Sequence, residues 1–228
     1  MANRIMDPIE RLMGLRYKSH PWHGVDVGPE VPDVVTAFIE MVTTDTVKYE
    51  VDKMSGYLRI DRPQKYSSVL PALYGFIPQT LSDESVAQIA RGKTDRKDLS
   101  GDGDPLDICV LTEKNIVHGN LLVHAIPIGG FRMIDGNQAD DKIIAVLKDD
   151  AVYGHIQSID QCPEAVITRL RHYFLTYKDL PGTVRDCEIT HVYGVEECHQ
   201  VINASLDDYR KKFENLDIVL SQYGITKK

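Results

Sequence analysis

Three aspartates lie within six residues, between two glycines and beside a proline, in the segment Gly101-Asp102-Gly103-Asp104-Pro105-Leu106-Asp107. Carboxylate oxygens at this density are the ligands that Mg²⁺, Mn²⁺ and Ca²⁺ prefer. In an extended chain, Asp102 and Asp104 would point to one side and Asp107 to the other. The glycines permit a tight turn and Pro105 holds Asp104 extended, so a bend in this segment is needed to bring the three carboxylates together.

Two interpretations of this acidic segment compete. Two like charges about 4 Å apart repel by about 1 kcal/mol in water, so a solvated acidic turn is tolerable. However, Asp107 leads into the apolar run Ile108–Leu111, and we expect its carboxylate to be half buried, where it needs a cation partner. The spacing therefore favours a metal site. An EF-hand is excluded because its loop requires glycine at the position that Asp107 occupies.

Other polar residues have a structural interpretation when they are taken alone. Residues 135–142 form a second acidic cluster between two predicted strands, typical of a polar hairpin loop. Lys48 and Glu50 share one face of a predicted strand and Arg59 and Arg62 lie near the next, as in an exposed charge ladder. Tyr74 and Tyr177 fit aromatic or core packing, and Lys178 fits a favourable position at a helix C-terminus.

The elements that must position these residues are mostly strands. Alternating or apolar segments predict strands at 34–42, 46–52, 57–61, 106–111, 121–131, 142–147 and 188–195. Apolar residues at helical spacing predict helices at 3–15, 164–178 and 198–213. Residues 20–33 are rich in proline and glycine and predict a loop, and the charged stretch at about 82–100 is interpreted as a surface insertion. Short strands followed by helices indicate an α+β domain built on a small barrel.

Composition excludes several classes of protein. The chain has 228 residues and a net charge of −8, so it has no long-range attraction to nucleic acid or to an anionic membrane. An anionic substrate would require bound cations that invert the local charge. The four cysteines form no C-x-x-C pair, which predicts four free thiols in a reducing compartment. We expect no membrane span and no signal peptide, and therefore a cytoplasmic protein.

Taken together, the motifs resemble the soluble family I inorganic pyrophosphatases. The matching segments follow in order between about residues 34 and 180: Val47–Lys53 with Gly56 and Asp61-Arg62, Tyr74–Ile77, Asp102–Asp107, Asp135 with Asp140 and Lys142, His172–Phe174, and Tyr177–Leu180. Two positions depart from the pattern, since Leu70 stands where many bacterial members have Tyr and Gly136 where they often have Glu.

The resemblance implies a fold, an activity and a setting. The fold would be α+β and mainly β: a five-stranded OB-like β-barrel with two late helices packed outside. Residues 1–33 would form an N-terminal extension and residues 34–228 the pyrophosphatase domain, with the insertion at about 82–100. The activity would be Mg²⁺-dependent hydrolysis of pyrophosphate to two orthophosphates, with Mn²⁺ or another divalent metal as a substitute. The partners would be pyrophosphate and further copies of the chain, in a hexamer or a smaller homo-oligomer.

The resemblance also implies a role for each matched residue. Asp104 would accept the proton of the attacking water. Metal would be held by Asp102, Asp107, Asp135 and Asp140, with Glu50 supporting a further metal ion. The phosphate groups would be held by Lys48, Arg62, Tyr74, Lys142, Tyr177 and Lys178.

Three alternatives stay open at the level of sequence. A metal-dependent hydrolase of another phosphoanhydride would differ in its preference within a panel of pyrophosphate, ATP and polyphosphate. A nucleic-acid-binding OB module would need a basic groove with stacked aromatic side chains, which the net charge argues against. A structural Ca²⁺ protein would bind metal without activity.

Overall fold

The computed structural model describes residues 18–178 and 186–222. Ten strands lie in these ranges: β1 (Val35–Met41), β2 (Val47–Val51), β3 (Leu58–Pro63), β4 (Leu73–Phe76), β5 (Ser100–Gly101), β6 (Asp107–Leu111), β7 (Leu121–Asp135), β8 (Gln138–Ala139), β9 (Lys142–Leu147) and β10 (Cys187–Tyr193). The same ranges hold three α-helices: α1 (Glu84–Lys93), α2 (Glu164–Thr176) and α3 (Val195–Gln222).

Eight strands form one sheet, in the order β1-β4-β6-β9-β7-β8-β5 with β10 paired to β7. Strand β7 also pairs antiparallel with β1, so the pairings run from β1 through β4, β6, β9 and β7 back to β1. Strands β6 and β9 are parallel, which places Asp107 opposite Lys142 at their first register position. Strands β2 and β3 form a separate antiparallel hairpin.

The seven predicted strands are all present, with ends that differ by a few residues. The sequence missed β4, β5 and β8, which have four, two and two residues. Strands this short show too little alternation to stand out, and they exist because longer neighbours supply their hydrogen bonds.

Both late helices are confirmed, and each packs in a different core cluster. Apolar residues that alternate along β6 and β9 explain this: Ile108 packs in the cluster that includes Ile202 of α3, whereas Cys109 packs in the cluster that includes Leu170 of α2. The thiols of Cys109, Cys162 and Cys198 are buried and form no disulfide, in agreement with the expectation of free thiols.

The stretch at 82–100, interpreted from the sequence as a polar surface insertion, contains a helix that the sequence did not predict. Residues 84–93 form α1, whose Val86, Ala87 and Ala90 are buried. The N-terminal residue Asp83 makes no side-chain cap. The cap comes from α3 instead, where the Asp208 carboxylate accepts hydrogen bonds from the backbone N–H groups of Ser85 (2.9 Å) and Val86 (3.2 Å). Because the cap is distant in sequence, no local signal marked this helix.

The N-terminal part of the chain is described from residue 18 onward, and the predicted helix at 3–15 lies outside the described residues. Residues 20–33 form a loop of turns, as predicted. Within the described ranges, no helix has the length and apolar character needed to cross a bilayer.

Candidate active site

The predicted site residues converge on one cavity of about 180 Å³. Eleven of the twelve lie on its wall: Lys48, Glu50, Tyr74, Asp102, Asp104, Asp107, Asp135, Asp140, Lys142, Tyr177 and Lys178. They come from β2, β4, the acidic segment before β6, the end of β7, the start of β9 and the end of α2. The fold thus brings together residues that lie up to 130 positions apart in the chain, from Lys48 to Lys178.

Arg62 is the exception, since it lies next to the cavity and not on its wall. Its guanidinium carbon is 5.8 Å from the centre of the Tyr177 ring, and its Nη1 donates to Asp61 Oδ2 at 3.0 Å. Within the described part of the chain, its buried Nη2 has no hydrogen-bond partner. A buried donor without a partner is costly, so this atom is suited to an anionic ligand.

The acidic segment makes the bend that its aspartates required. Gly103 has φ of +75°, a conformation that glycine adopts without steric cost. The backbone N–H of Asp104 donates to Asp102 Oδ1 at 2.9 Å, which closes the turn. The neighbouring chain holds it from outside, because Ser82 N–H donates to the carbonyl of Asp104 (2.8 Å) and Gly103 N–H donates to the carbonyl of Ser82 (2.9 Å).

Lys142 is the buried centre of the charge network. It is 2% exposed, and its ammonium group contacts the carboxylates of Asp107 and Asp140. Burial by itself lowers the pKa of Lys142, but Asp107 and Asp140 together raise it well above its usual value. The Tyr74 hydroxyl donates to Asp107 Oδ2 at 2.6 Å, and burial followed by the Asp107 charge raises the pKa of Tyr74.

Two further lysines pair with carboxylates at the rim of the cavity. Lys53, on the turn after β2, contacts Asp104, and Lys178 contacts Asp135. Each lysine side chain is nearly half exposed. On the hairpin, Glu50 lies 3.9 Å from Arg59 and Lys48 lies 3.5 Å from Asp61, so the predicted charge ladder exists and faces the cavity at one end.

The donor set fits a divalent metal. The five carboxylates predicted as metal ligands supply oxygen atoms only, as Mg²⁺ and Mn²⁺ prefer. Burial, and after it the charges of Asp140 and Asp107, raise the pKa of Asp102 to about 8, and a bound cation would offset that cost. Among the residues that the structure describes, no group of three His, Cys, Asp or Glu side chains stands in ligand geometry. Three of the carboxylates that would hold metal, those of Asp107, Asp140 and Asp135, contact lysines in this structure.

Seven residues of the cavity wall were not predicted as site residues: Trp22, Glu40, Val51, Lys53, Phe76, Pro105 and Gln138. Glu40 is the one with a visible signal, since it is the single charged residue in the apolar strand β1. It is 6% exposed, and its Oε1 accepts a hydrogen bond from Val51 N–H at 2.7 Å. Burial, above all other causes, raises the pKa of Glu40 to about 8.

The two departures from the pattern lie in different surroundings. Leu70 is 1% exposed and packs in the core cluster beneath α2, and it is not one of the residues that line the cavity. Gly136 has φ of +60° in the turn between β7 and β8. A side chain at Gly136 would therefore be strained in this backbone conformation.

Comparison with known proteins agrees with this geometry. A sequence model of the inorganic pyrophosphatase family matches residues 37–210. The chain is 46% identical over 200 residues to the inorganic pyrophosphatase of Chlamydia trachomatis serovar D, which covers 86% of this chain and 96% of that protein. It is 35% identical over 191 residues to a soluble inorganic pyrophosphatase of Oryza sativa subsp. japonica, with 84% and 79% covered.

A solved structure of similar shape supports the same assignment. The crystal structure of inorganic pyrophosphatase from Thermus thermophilus matches with a TM-score of 0.70 and 29% identity, over 85% of this chain and 99% of that one. Family match, identity and shape agree, and this chain belongs to the family I inorganic pyrophosphatases, hydrolases that cleave inorganic pyrophosphate.

Proposed function

We propose that this chain hydrolyses inorganic pyrophosphate to two orthophosphates with Mg²⁺ as its metal and with the residue roles described below. The observation that carries the proposal is the convergence of eleven residues, chosen from sequence alone, on one cavity. Mn²⁺ or another divalent ion with the same oxygen preference would substitute for Mg²⁺.

The carboxylates would hold the metal. Asp102, Asp107, Asp135 and Asp140 would bind Mg²⁺, with Glu50 at a further ion, and the metal when bound supplies positive charge and acidifies water. Four of these five contact or adjoin a lysine or arginine in the structure. These cations balance the charge of the acidic cavity, and with metal held by the carboxylates they would be available to an anionic substrate.

Asp104 would take the proton of the attacking water. It lies on the acidic turn with about two fifths of its side chain exposed, so water reaches it from the open side of the cavity. A carboxylate positioned in this way acts as a general base.

The basic and hydroxyl groups would hold the two phosphate groups, with Lys48, Arg62 and Lys178 towards the rim and Tyr74, Lys142 and Tyr177 deeper inside. In phosphoryl transfer, charge collects on the non-bridging and leaving oxygens, and fixed cations near them stabilise the transition state. The buried Nη2 of Arg62, which has no hydrogen-bond partner among the described residues, supports its part in this set.

The remaining proposals concern the whole chain. The cyclic pairing of β1, β4, β6, β9 and β7 supports a five-stranded OB-like barrel. We further propose that residues 34–228 form the pyrophosphatase domain behind an extension at 1–33, and that the enzyme is a cytoplasmic homo-oligomer, a hexamer or smaller. The net charge of −8 supports the absence of a nucleic-acid partner.

The experiment is phosphate release from pyrophosphate with Mg²⁺, with excess EDTA, and with the Asp104→Asn variant. We expect fast release with Mg²⁺, none with EDTA, and at least about a 100-fold loss of kcat in the variant because general-base catalysis is lost. Asp98→Asn is the matched control, since Asp98 is an exposed aspartate in a nearby loop whose carboxylate lies 3.5 Å from Arg96. Full activity in EDTA would exclude the metal mechanism, and near-normal turnover in Asp104→Asn would remove Asp104 from the base role.

A further inference from the structure

Trp22 is the single tryptophan of the chain, and it lies on the wall of the active-site cavity. It belongs to residues 18–33, named here the N-terminal strap, which contains no strand or helix. Only 6% of Trp22 is exposed. A large aromatic side chain buried this deeply stabilises the packing between the two segments that it contacts.

On one side, the strap packs against the β2–β3 hairpin. Trp22 shares a core cluster with Val51, the last residue of β2. At the hairpin turn, a Cβ added to Gly56 would lie 2.8 Å from His20 Cδ2 and 3.0 Å from Pro21 Cδ, so the strap rests directly on this turn. In the described part of the chain the hairpin pairs with no strand of the main sheet. Its position is therefore set by side-chain contacts, among them the hydrogen bond from Val51 N–H to Glu40 Oε1 and the packing in which Trp22 takes part.

On the other side, Trp22 is bonded to the segment that holds the acidic turn. Its indole Nε1–H donates to the carbonyl of Thr80 at 2.7 Å, and its own carbonyl accepts from Gln79 N–H at 2.9 Å. Thr80 Oγ1 in turn accepts from Leu106 N–H at 2.9 Å. Two residues further along, Ser82 N–H donates to the carbonyl of Asp104 at 2.8 Å. Residues 79–82 thus connect Trp22 to Asp104 through hydrogen bonds.

Trp22 and its neighbour His23 contact aromatic side chains of helix α3. The His23 ring stacks on Trp22 with a centroid distance of 4.5 Å, and His23 Nδ1 lies 2.8 Å from the Tyr209 hydroxyl. The Phe213 ring meets Trp22 edge-on at 5.9 Å. This backing keeps the indole from moving away from the cavity.

We propose that Trp22 is a positioning residue of the active site, which sets the β2–β3 hairpin at its working distance from the acidic turn. Lys48, Glu50 and Lys53 come from the hairpin, whereas Asp102 and Asp104 come from the turn. The two sides meet across the cavity, where Lys53 contacts Asp104. The inference rests on the proposed function, because it concerns how well that site binds metal and substrate.

The first test compares Trp22→Ala and Trp22→Phe with Ile202→Ala, a control that removes a buried side chain of α3 away from the cavity. For Trp22→Ala we expect KM for pyrophosphate to rise about tenfold or more, with a smaller change in kcat, since displaced groups bind less well. Trp22→Phe keeps the ring and loses the hydrogen bond to Thr80, so we expect a rise of about threefold. Ile202→Ala should lower Tm and leave KM unchanged.

The second test uses Trp22 as its own probe and needs no variant. We expect tryptophan emission of the wild-type enzyme to change saturably when inorganic phosphate is added with Mg²⁺, and to stay constant with phosphate plus EDTA. If Trp22→Ala does not fold, this titration and the KM of Trp22→Phe test the positioning role of Trp22 instead.

Three outcomes would contradict the inference. Wild-type KM in the folded Trp22 variants would overturn it while leaving pyrophosphate hydrolysis intact. A KM rise in Ile202→Ala equal to that in Trp22→Ala would show a general effect of lost stability. A wild-type enzyme that releases no phosphate from pyrophosphate would contradict the proposed function and this inference together.

Discussion

The charged side chains of the cavity are held in pairs, and their protonation follows from those pairs. Although burial lowers the pKa of Lys142, Asp107 and Asp140 raise it well above its usual value. Lys142 is therefore a permanent cation at neutral pH and cannot serve as a base. This leaves the proton-accepting role to a carboxylate and supports Lys142 as a phosphate ligand.

Glu40 gives a prediction about stability and pH. Its pKa is about 8 in the folded protein against 4.5 for the ordinary group, chiefly because of burial. A carboxyl whose folded pKa is raised stabilises the protein while it is protonated, and this contribution is lost as pH rises from 4.5 to about 8. Glu40→Gln stays neutral, so in EDTA the free energy of unfolding of the wild type should fall relative to the variant by on the order of 4 kcal/mol across this range.

Denaturant unfolding at several pH values measures this difference. The control is Glu30→Gln, an exposed glutamate whose carboxylate lies 3.7 Å from Lys148, and its stability should follow the wild type at every pH. Equal pH dependence of the wild type and Glu40→Gln would show that Glu40 is already ionised in the fold.

Among the elements, the acidic turn depends on its close approach to the segment before α1. A Cβ added to Gly101 would lie 2.2 Å from the carbonyl oxygen of Ser82, a backbone atom that cannot move alone. Gly101→Ala should therefore displace the turn and lower kcat/KM for pyrophosphate by at least about tenfold. Phosphate-release kinetics and thermal unfolding of the same sample separate lost positioning from lost folding.

Gly92→Ala is the matched control for this substitution. Gly92 lies inside α1, and an added Cβ there would meet nothing within 4 Å. Alanine in place of a helical glycine should stabilise the protein by about 0.5–1 kcal/mol and leave kcat/KM unchanged. Wild-type kinetics in Gly101→Ala would mean that the turn tolerates displacement.

At the scale of the whole molecule, the buried side chain of Arg132 connects the sheet to α3 through ion pairs. It is fully buried on β7, with Nε 2.9 Å from Asp141 Oδ1 and Nη2 3.2 Å from Glu197 Oε1. The Tyr193 hydroxyl of β10 donates to the other oxygen of Asp141 at 3.1 Å. One side chain thus connects β7, the residue before β9, and α3.

Removing this arginine should destabilise the whole fold. Arg132→Met leaves Asp141 buried without its counter-charge, and we expect a loss of about 3–5 kcal/mol in the free energy of unfolding. Arg210→Met removes an exposed pair with Asp207, whose charges are 3.1 Å apart at the surface, and should cost less than about 1 kcal/mol. Similar losses in denaturant unfolding would mean that the buried pair contributes no more than a surface pair.

The sequence by itself determined the features that depend on residues close together in the chain. The alternation of Val47–Val51 predicted β2, the helical spacing of Glu164–Thr176 predicted α2, and the glycines beside Asp102 and Asp104 predicted a bend. Each pattern reports a local preference that burial of one face makes stable. The motif resemblance then identified the family and eleven of the cavity residues.

The tertiary structure alone decided the features that depend on contacts between distant parts of the chain. Helix α1 is capped by Asp208, more than 120 positions away, and Trp22 reaches the cavity from a loop that no periodicity marks. Lys53 meets Asp104 only because the hairpin folds over the acidic turn. These contacts follow from the packing of whole elements, and no pattern among neighbouring residues carries that information.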